Sequence, residues 1–224
     1  MQLLLATRNR HKIAELRALL GEGYDVLGLA DIAAAGDVVE DQPTFAGNAA
    51  KKALHAAGLV AGRMLVLADD SGLAVDALGG APGVLSARYA QELDTPRPTD
   101  QQNNEKLLRE LAAVPAEKRR ARFLCVIAVA GLTARHLMAA ARDVGVPWES
   151  HGLYTVALCP GACEGRILFA PRGRGGFGYD PLFVPDGHEQ TFAELGEEAK
   201  NQISHRARAM RRAKELLESL RRMG

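Results

Sequence analysis

Cysteine is scarce in this chain, and its few copies form no framework. Cys125, Cys159 and Cys163 are the three cysteines among 224 residues. Their odd number leaves no even disulfide framework, and Cys159 and Cys163 lack a companion Cys or His pair at zinc-finger spacing. A reducing, cytoplasmic setting is therefore expected. A surplus of charge of one sign is missing too. The formal net charge of +1 argues against a general nucleic-acid coat or a membrane-surface protein, both of which need a large field of one sign. Any basic site has to be local. Long apolar runs are also absent: the longest, Phe123 to Leu132, is well short of the ~20 residues that cross a bilayer. Leu3 to Ala6 is followed at once by Arg8, Arg10 and Lys12, so neither export nor membrane anchoring is expected. No G-x-x-x-x-G-K-[ST] occurs, which excludes phosphate binding by a P-loop.

With 47% hydrophobic and 25% charged residues, the chain is long enough for a substantial core and reads as one domain or two lobes of one. Its organising stretch is Met64-Leu-Val-Leu-Ala-Asp-Asp-Ser-Gly-Leu73. The apolar run predicts a buried strand that ends where Asp69 and Asp70 emerge. Side chains alternate faces along extended backbone, so only one carboxylate need point into a cleft, for metal or water chemistry, while the other braces the turn. The competing reading is an Asp-Ser-Gly turn whose side chains bond their own backbone.

Upstream, Gln2 to Ala6 predicts a first buried strand and Asn9 an N-cap, followed by a helix with Ile13, Leu16 and Leu20 on one stripe and Gly21 closing it. Thr7, Asn9 and Lys12 then surround a helix N-terminus, where free N–H groups, a hydroxyl, an amide and an ammonium suit an anion such as phosphate. A capped surface helix is the alternative. Glu40 lies in the loop before a second helix, whose stripe is Phe45, Ala49, Ala53 and Ala57 and which Gly58 ends. Lys51 and Lys52 lie in that helix, where lysines are usually a solvated face, and Lys52 gains interest only if Glu40 and Asp70 share a cleft. Leu73 to Leu78 is a weak strand candidate, and Thr99 or Asp100 caps a structural helix that ends before Pro115. Arg122 to Ala130, apolar on both faces, predicts a central strand. Leu153 to Leu158 and Glu164 to Leu168 predict two more. The connection from 133 to 152 is far longer than a hairpin loop and reads as an insertion, on the surface or at a subunit contact, with a helix near Leu137 to Arg142.

Ala170 to Pro185 is rich in glycine, with Phe177 and Tyr179 offering flat faces on which a base stacks. An RGG-like segment for single-stranded RNA competes with that reading, but a single copy inside a folded pattern argues against it. Glu197 to Met223 predicts one long helix whose first turns carry Lys200, Ser204, His205 and Arg206.

Together, Thr7-x-Asn9-x-x-Lys12-x-x-Glu15, Thr44-Phe-x-x-Asn48-Ala-x-x-Lys-Ala53, Ala68-Asp-Asp-Ser-Gly-Leu73, Gly176-Phe-Gly-Tyr-Asp-Pro-Leu-Phe183 and Lys200-Asn-x-x-Ser-His-Arg206 stand in the order seen in the inosine/xanthosine triphosphate pyrophosphatases. The chain resembles that family from residue 3 to about residue 215. It departs in having Arg8 where many members have Gly, and in the length of the 133 to 152 connection. The resemblance implies an α/β, two-lobed fold with a long mixed central sheet, flanking helices and a substrate cleft between the lobes, in a single domain over 1–224 that forms a homodimer. It implies hydrolysis of ITP, dITP and XTP to the monophosphate and pyrophosphate, by Mg²⁺-assisted attack of water at the α-phosphorus. Glu40 and Asp70, with Asp69 as a further candidate, would hold Mg²⁺, a hard ion that takes one or two carboxylates plus phosphate oxygens. Asp70 is also the implied catalytic base, although beside the metal ion its basicity is low and metal-bound water is the more sensible nucleophile. Phosphate contacts are implied at Thr7, Arg8, Asn9, Arg10, His11 and Lys12, with Lys52 and Ser71. Base contacts are implied at Phe177, Gly178, Tyr179 and Asp180, with Lys200, His205 and Arg206. Hypoxanthine and xanthine present an acceptor at O6 where adenine presents an amino donor, so a site built of donors rejects ATP. The rivals are a Maf-like nucleotide pyrophosphatase without the Ser-His-Arg motif, a nucleotide sensor without turnover, and an RNA-binding protein with steep salt dependence.

Overall fold

The structure is a computed structural model that describes residues 1–32, 36, 38–92, 96–131 and 134–223, with the side chains of Arg10 and Ala134 left aside. In chain order the elements are β1 (Gln2–Leu5), α1 (Arg10–Leu20), β2 (Asp25–Gly28), α2 (Phe45–Leu59), β3 (Leu65–Val75), α3 (Asp100–Glu110), β4 (Arg120–Gly131), α4 (Ala134–Asp143), β5 (Trp148–His151), β6 (Tyr154–Ile167), β7 (Phe183–Pro185), α5 (Phe192–Ile203) and α6 (His205–Met223). The strands form one sheet in the order β2-β1-β3-β4-β6-β5, and β7 pairs with β6. β1 runs parallel to β2 and β3, whereas β5 and β7 run antiparallel to β6. The sheet is thus mixed, as expected, and β4 is one of its inner strands. Among the described residues no helix is long and apolar enough to cross a membrane.

The chain divides into two compact units, Met1–Asp70 with Cys125–Gly161 and Arg206–Gly224, and Ser71–Leu124 with Ala162–His205. The first unit is layered by strand parity. Leu3, Leu5 and Leu67, with Ile127 and Val129, face one way and pack with Leu16 and Leu20 of α1, Leu137 of α4 and Met210 and Leu217 of α6. Leu4, Val66, Ala68 and Ala128 face the other way, onto Ala49, Ala53 and Ala57 of α2. Both faces of these strands are covered, which is why they read as continuous apolar runs rather than alternating ones. In the second unit the core is aromatic: Phe123 meets Phe183 edge-on at 4.7 Å, and the His205 ring stacks on Phe123 at 4.8 Å. There the buried Arg119 guanidinium donates to the carbonyls of Leu111, Val114 and Leu168, stitching the end of α3 to the segment after β6.

Several expectations need correction. The strand that was to end at the aspartates runs on to Val75, 11 residues in all, so Asp69, Asp70 and Ser71 lie inside β3 and the Asp-Ser-Gly turn does not form. Gly72 allows this by close approach rather than by bending. A Cβ there would stand 2.3 Å from Ser86 Oγ and 2.6 Å from the Gly83 carbonyl oxygen, while Ser86 Oγ accepts the Leu73 N–H at 2.9 Å. The two strands expected between Leu153 and Leu168 are one, β6, which runs through Pro160 and Gly161. Helix α2 continues past Gly58 to Leu59. The long C-terminal helix is two, broken at Ser204, whose extended ψ of 159° ends α5. The connection expected as an insertion, on the surface or at a subunit contact, carries the expected helix as α4 and also β5, and it buries Leu137, Ala140, Ala141 and Val146 in the first unit's core. Residues 132 and 133, at its start, lie outside the described residues. β2 was not foreseen.

Candidate active site

Parity in β3 sends the paired aspartates to opposite faces. Asp69 continues the face of Leu65 and Leu67, toward α1 and α6. Its carboxylate lies 2.9 Å from Lys12 Nζ, and Arg206 reaches it at 3.4 Å while also pairing with Glu15. The Asp69 side chain is 0% exposed and that of Arg206 2%. Burial pushes Asp69 up, but Lys12, Arg206 and Lys52 outweigh it and hold its carboxyl below the usual carboxylate range. For Arg206 burial pulls down, and Asp69 and Glu15 overcome it, so its guanidinium is held charged more firmly than usual.

Asp70 continues the face of Val66 and Ala68, toward α2. Its Oδ1 accepts from Lys52 Nζ at 3.1 Å and its Oδ2 from Asn48 Nδ2 at 3.2 Å. Lys52 and Asn48 are four residues apart, one above the other on α2, which Thr44 starts by accepting the Gly47 N–H. The same Lys52 ammonium lies 2.9 Å from Glu40 Oε1. Two carboxylates thus meet one cation. Burial raises the Asp70 carboxyl above its ordinary value, and Lys52 and Lys12 do not cancel that rise. Dehydration of the charge outweighs these two lysines. Burial would lower the Lys52 ammonium, but Asp70, Asp69 and Glu40 raise it.

At the start of α1, Thr7 Oγ1 accepts the Asn9 N–H at 3.3 Å, and Asn9 Oδ1 accepts those of His11 and Lys12 at 3.0 and 3.3 Å. The N-cap is as expected, but the His11 and Lys12 N–H groups, expected to be free for an anion, are met by Asn9. Arg8 and His11 are exposed, and the Arg10 side chain lies outside the described residues.

The second unit holds the other expected residues. Asp180 Oδ2 accepts the Phe177 N–H at 2.9 Å and Lys200 Nζ at 2.6 Å. That turn requires glycine at 176, where φ is +74° and a Cβ would meet Asp180 Oδ2 at 2.2 Å. The Lys200 ammonium stands 4.5 Å from the centre of the half-buried Phe177 ring, a cation–π contact. Tyr179 departs from expectation: its ring is buried in the core and its hydroxyl donates to the Ser86 carbonyl at 2.9 Å. It anchors the loop instead of offering a stacking face. Ser71 is half-buried.

Sequence reasoning left Asn48 and Glu15 without a role, although both stand within the quoted motifs. The four-residue spacing of Asn48 and Lys52 was the available signal. Glu40 and Asp70 supply hard oxygen donors already spanned by a cation, which fits an ion such as Mg²⁺. Among the described residues no group of three or more His, Cys, Asp or Glu is arranged to hold a metal. A hard ion completed by phosphate oxygens suits this short donor set better than an all-protein cage.

Residues 3–216 match the profile of the Ham1 family. The chain is 48% identical over 221 residues to the dITP/XTP pyrophosphatase of Desulforamulus reducens, covering 98% of this chain and 97% of that one. It is 46% identical to the dITP/XTP pyrophosphatase of Shouchella clausii, covering 98% of both. Among solved structures, a HAM1 protein from Coxiella burnetii superposes with a TM-score of 0.79 at 36% identity, covering 97% of this chain and 98% of that one. The nucleoside-triphosphatase / dITP/XTP pyrophosphatase of Mycobacterium abscessus does so with a TM-score of 0.69 at 36% identity, over 94% and 97%. The chain belongs to the Ham1 family.

Proposed function

We propose that this protein hydrolyses ITP, dITP and XTP to the nucleoside monophosphate and pyrophosphate, removing non-standard purine nucleotides from the pool. The observation that carries this reading is the Asp69-Asp70 pair inside one buried strand, each carboxylate paired with a different lysine, in a chain whose relatives are named dITP/XTP pyrophosphatase.

Asp70 is assigned as the base. Lys52 and Asn48 fix its carboxylate, and a fixed carboxylate suits general-base work on water. Water adds to the α-phosphorus, the bond to the α–β bridging oxygen breaks, and pyrophosphate leaves as Asp70 accepts the proton of the water. Lys52 and Lys12 neutralise charge that grows on the phosphate oxygens, and Asn48 orients the Asp70 carboxylate. Glu40 and Asp70 would hold Mg²⁺, which supplies neutralisation and alignment of the phosphates. Asp69, on the opposite face, keeps Lys12 and Arg206 in place. Thr7, Arg8, Asn9, Arg10, His11 and Ser71 are assigned to the phosphates. Phe177 is assigned to stack on the purine, with Gly178, Asp180, Lys200 and His205 around it. Arg206 is assigned to holding Asp69, because its buried guanidinium is shared between Asp69 and Glu15. A homodimer and a cytoplasmic setting belong to the same reading, supported by the family resemblance and, for the setting, by three buried cysteines that form no disulfide.

Pyrophosphate release measured with Mg²⁺ and ITP, XTP, dITP, GTP or ATP tests this. Turnover of ITP and XTP above that of ATP is expected, and Asp70→Asn is expected to lower kcat by about 100-fold or more. ATP turned over as well as ITP and XTP would overturn the substrate reading, and an undiminished Asp70→Asn enzyme would overturn the assignment of the base.

A further inference from the structure

Helix α3 reads in the sequence as a purely structural element, yet its first turns grip the glycine-rich loop. Asp100 Oδ2 accepts the Gly178 N–H at 2.6 Å. Asn104 Nδ2 donates to the Gly178 carbonyl at 2.9 Å. The two side chains are four residues apart and so share one helical face. Together they satisfy both backbone polar groups of one residue. Gly178 holds φ at +62° and has no side chain of its own to pack, so its peptide direction depends on such outside partners. The gripping end is itself firm: Thr99 Oγ1 accepts the Gln102 N–H, and the Gln102 side chain accepts the Thr99 N–H at 2.8 Å. On either side of Gly178, the Phe177 N–H is held by Asp180 and the Tyr179 hydroxyl by Ser86.

We propose that Asp100 and Asn104 are positioning residues for purine recognition: by clamping the Gly178 peptide they fix the Phe177 ring in its stacking orientation. The proposal rests on the reading above, in which Phe177 takes the base. A loop with Gly173, Gly175, Gly176 and Gly178 has many conformations open to it. Without the clamp, each binding event would have to order that loop, and affinity would fall. Neither residue is assigned to the phosphorus chemistry, so the loss should fall on KM and leave kcat in place. Asp100 also stands in the first turn of α3, where a negative charge favours the helix dipole. An asparagine there removes the charge but keeps an acceptor.

The test compares Asp100→Ala, Asp100→Asn, Asn104→Ala and Phe177→Ala in the full-length protein, by ITP hydrolysis with Mg²⁺, by thermal unfolding and by amide hydrogen exchange of the Phe177 to Asp180 segment. Asp100→Ala and Asn104→Ala are expected to raise KM for ITP about tenfold with kcat within about twofold, and to speed exchange in the segment while the Tm holds. Asp100→Asn is expected to restore KM and protection. Faster exchange without a change in KM, while Phe177→Ala still raises KM, would overturn the positioning role and leave the base reading intact. Unchanged KM in Phe177→Ala would overturn both. A fall of kcat and Tm together in Asp100→Ala, with no rescue by Asp100→Asn, would reduce the clamp to helix stability and overturn the proposal.

Discussion

Asp69 carries its charge fully buried between Lys12 and Arg206, with Glu15 closing the far side of the guanidinium. Removing one member of such a group strands the others in a poorly solvating interior. Asp69→Asn is therefore expected to cost about 3–5 kcal/mol at neutral pH, read by denaturant unfolding. The pH dependence follows from the depressed carboxyl. A group whose folded value lies below its unfolded value stabilises above the unfolded value of about 3.9. That contribution is lost as pH falls toward the folded value. The gap between wild type and Asp69→Asn should thus narrow in acid, below about pH 4. A gap independent of pH would mean that Asp69 stabilises by shape and not by charge. The thiols give a second expectation. Burial pushes Cys125 and Cys159 up to about 12, so little thiolate exists near neutrality. A thiol reagent at pH 8 should label neither in the native protein, and both once denaturant is added. At this scale the sequence was partly legible. Alternation along a strand was enough to separate the two aspartates, since parity is a local property. The burial of Arg206 was not, because it depends on Glu15 and Asp69 arriving from remote segments.

β3 shows what one close approach does for an element. The run Asp-Ser-Gly carries turn chemistry, and local propensity alone would stop the strand there. The chain stays extended because Gly72 leaves room for Ser86 and the Gly83 carbonyl, and because Ser86 Oγ accepts the next N–H. Gly72→Ala is expected to destabilise the protein by about 1–3 kcal/mol, the usual cost of forcing extra volume into a packed site. Removing Ser86 as well should recover only part of that loss, since the Gly83 carbonyl oxygen remains 2.6 Å from the new methyl group. Full recovery in the double variant would locate the conflict in the side chain alone. Tertiary partners also explain the other misread elements. Pro160 and Gly161 interrupt the strand pattern, yet β6 continues through them, and β2 and β5 have 4 residues each, too few for a periodic signal. By contrast α1 was legible end to end, because Asn9 and Gly21 cap it from within its own sequence.

For the whole molecule, the arrangement of chain segments decides how unfolding should proceed. Neither compact unit is a continuous stretch of chain: the first is made of three segments and the second of two. The boundaries after Asp70, Leu124 and Gly161 fall inside β3, β4 and β6, so the backbone of each of these strands contributes to both units. A unit that lost its structure would release strands whose remaining residues belong to the other. Unfolding should then be a single cooperative transition despite the size of the chain. The protein has one tryptophan, Trp148, placed in β5 and packed against the first unit's core. Its fluorescence therefore reports on that unit. Far-UV circular dichroism reports on the α-helices of both units, of which α3 and α5 belong to the second. Urea curves from the two probes are expected to coincide in midpoint and slope, and hydrogen exchange near the midpoint should show the α3 amides opening with those of α1. A tryptophan transition displaced from the dichroism transition, or α3 exchanging while α1 stays protected, would show that the second unit unfolds on its own and that strand continuity does not couple the two.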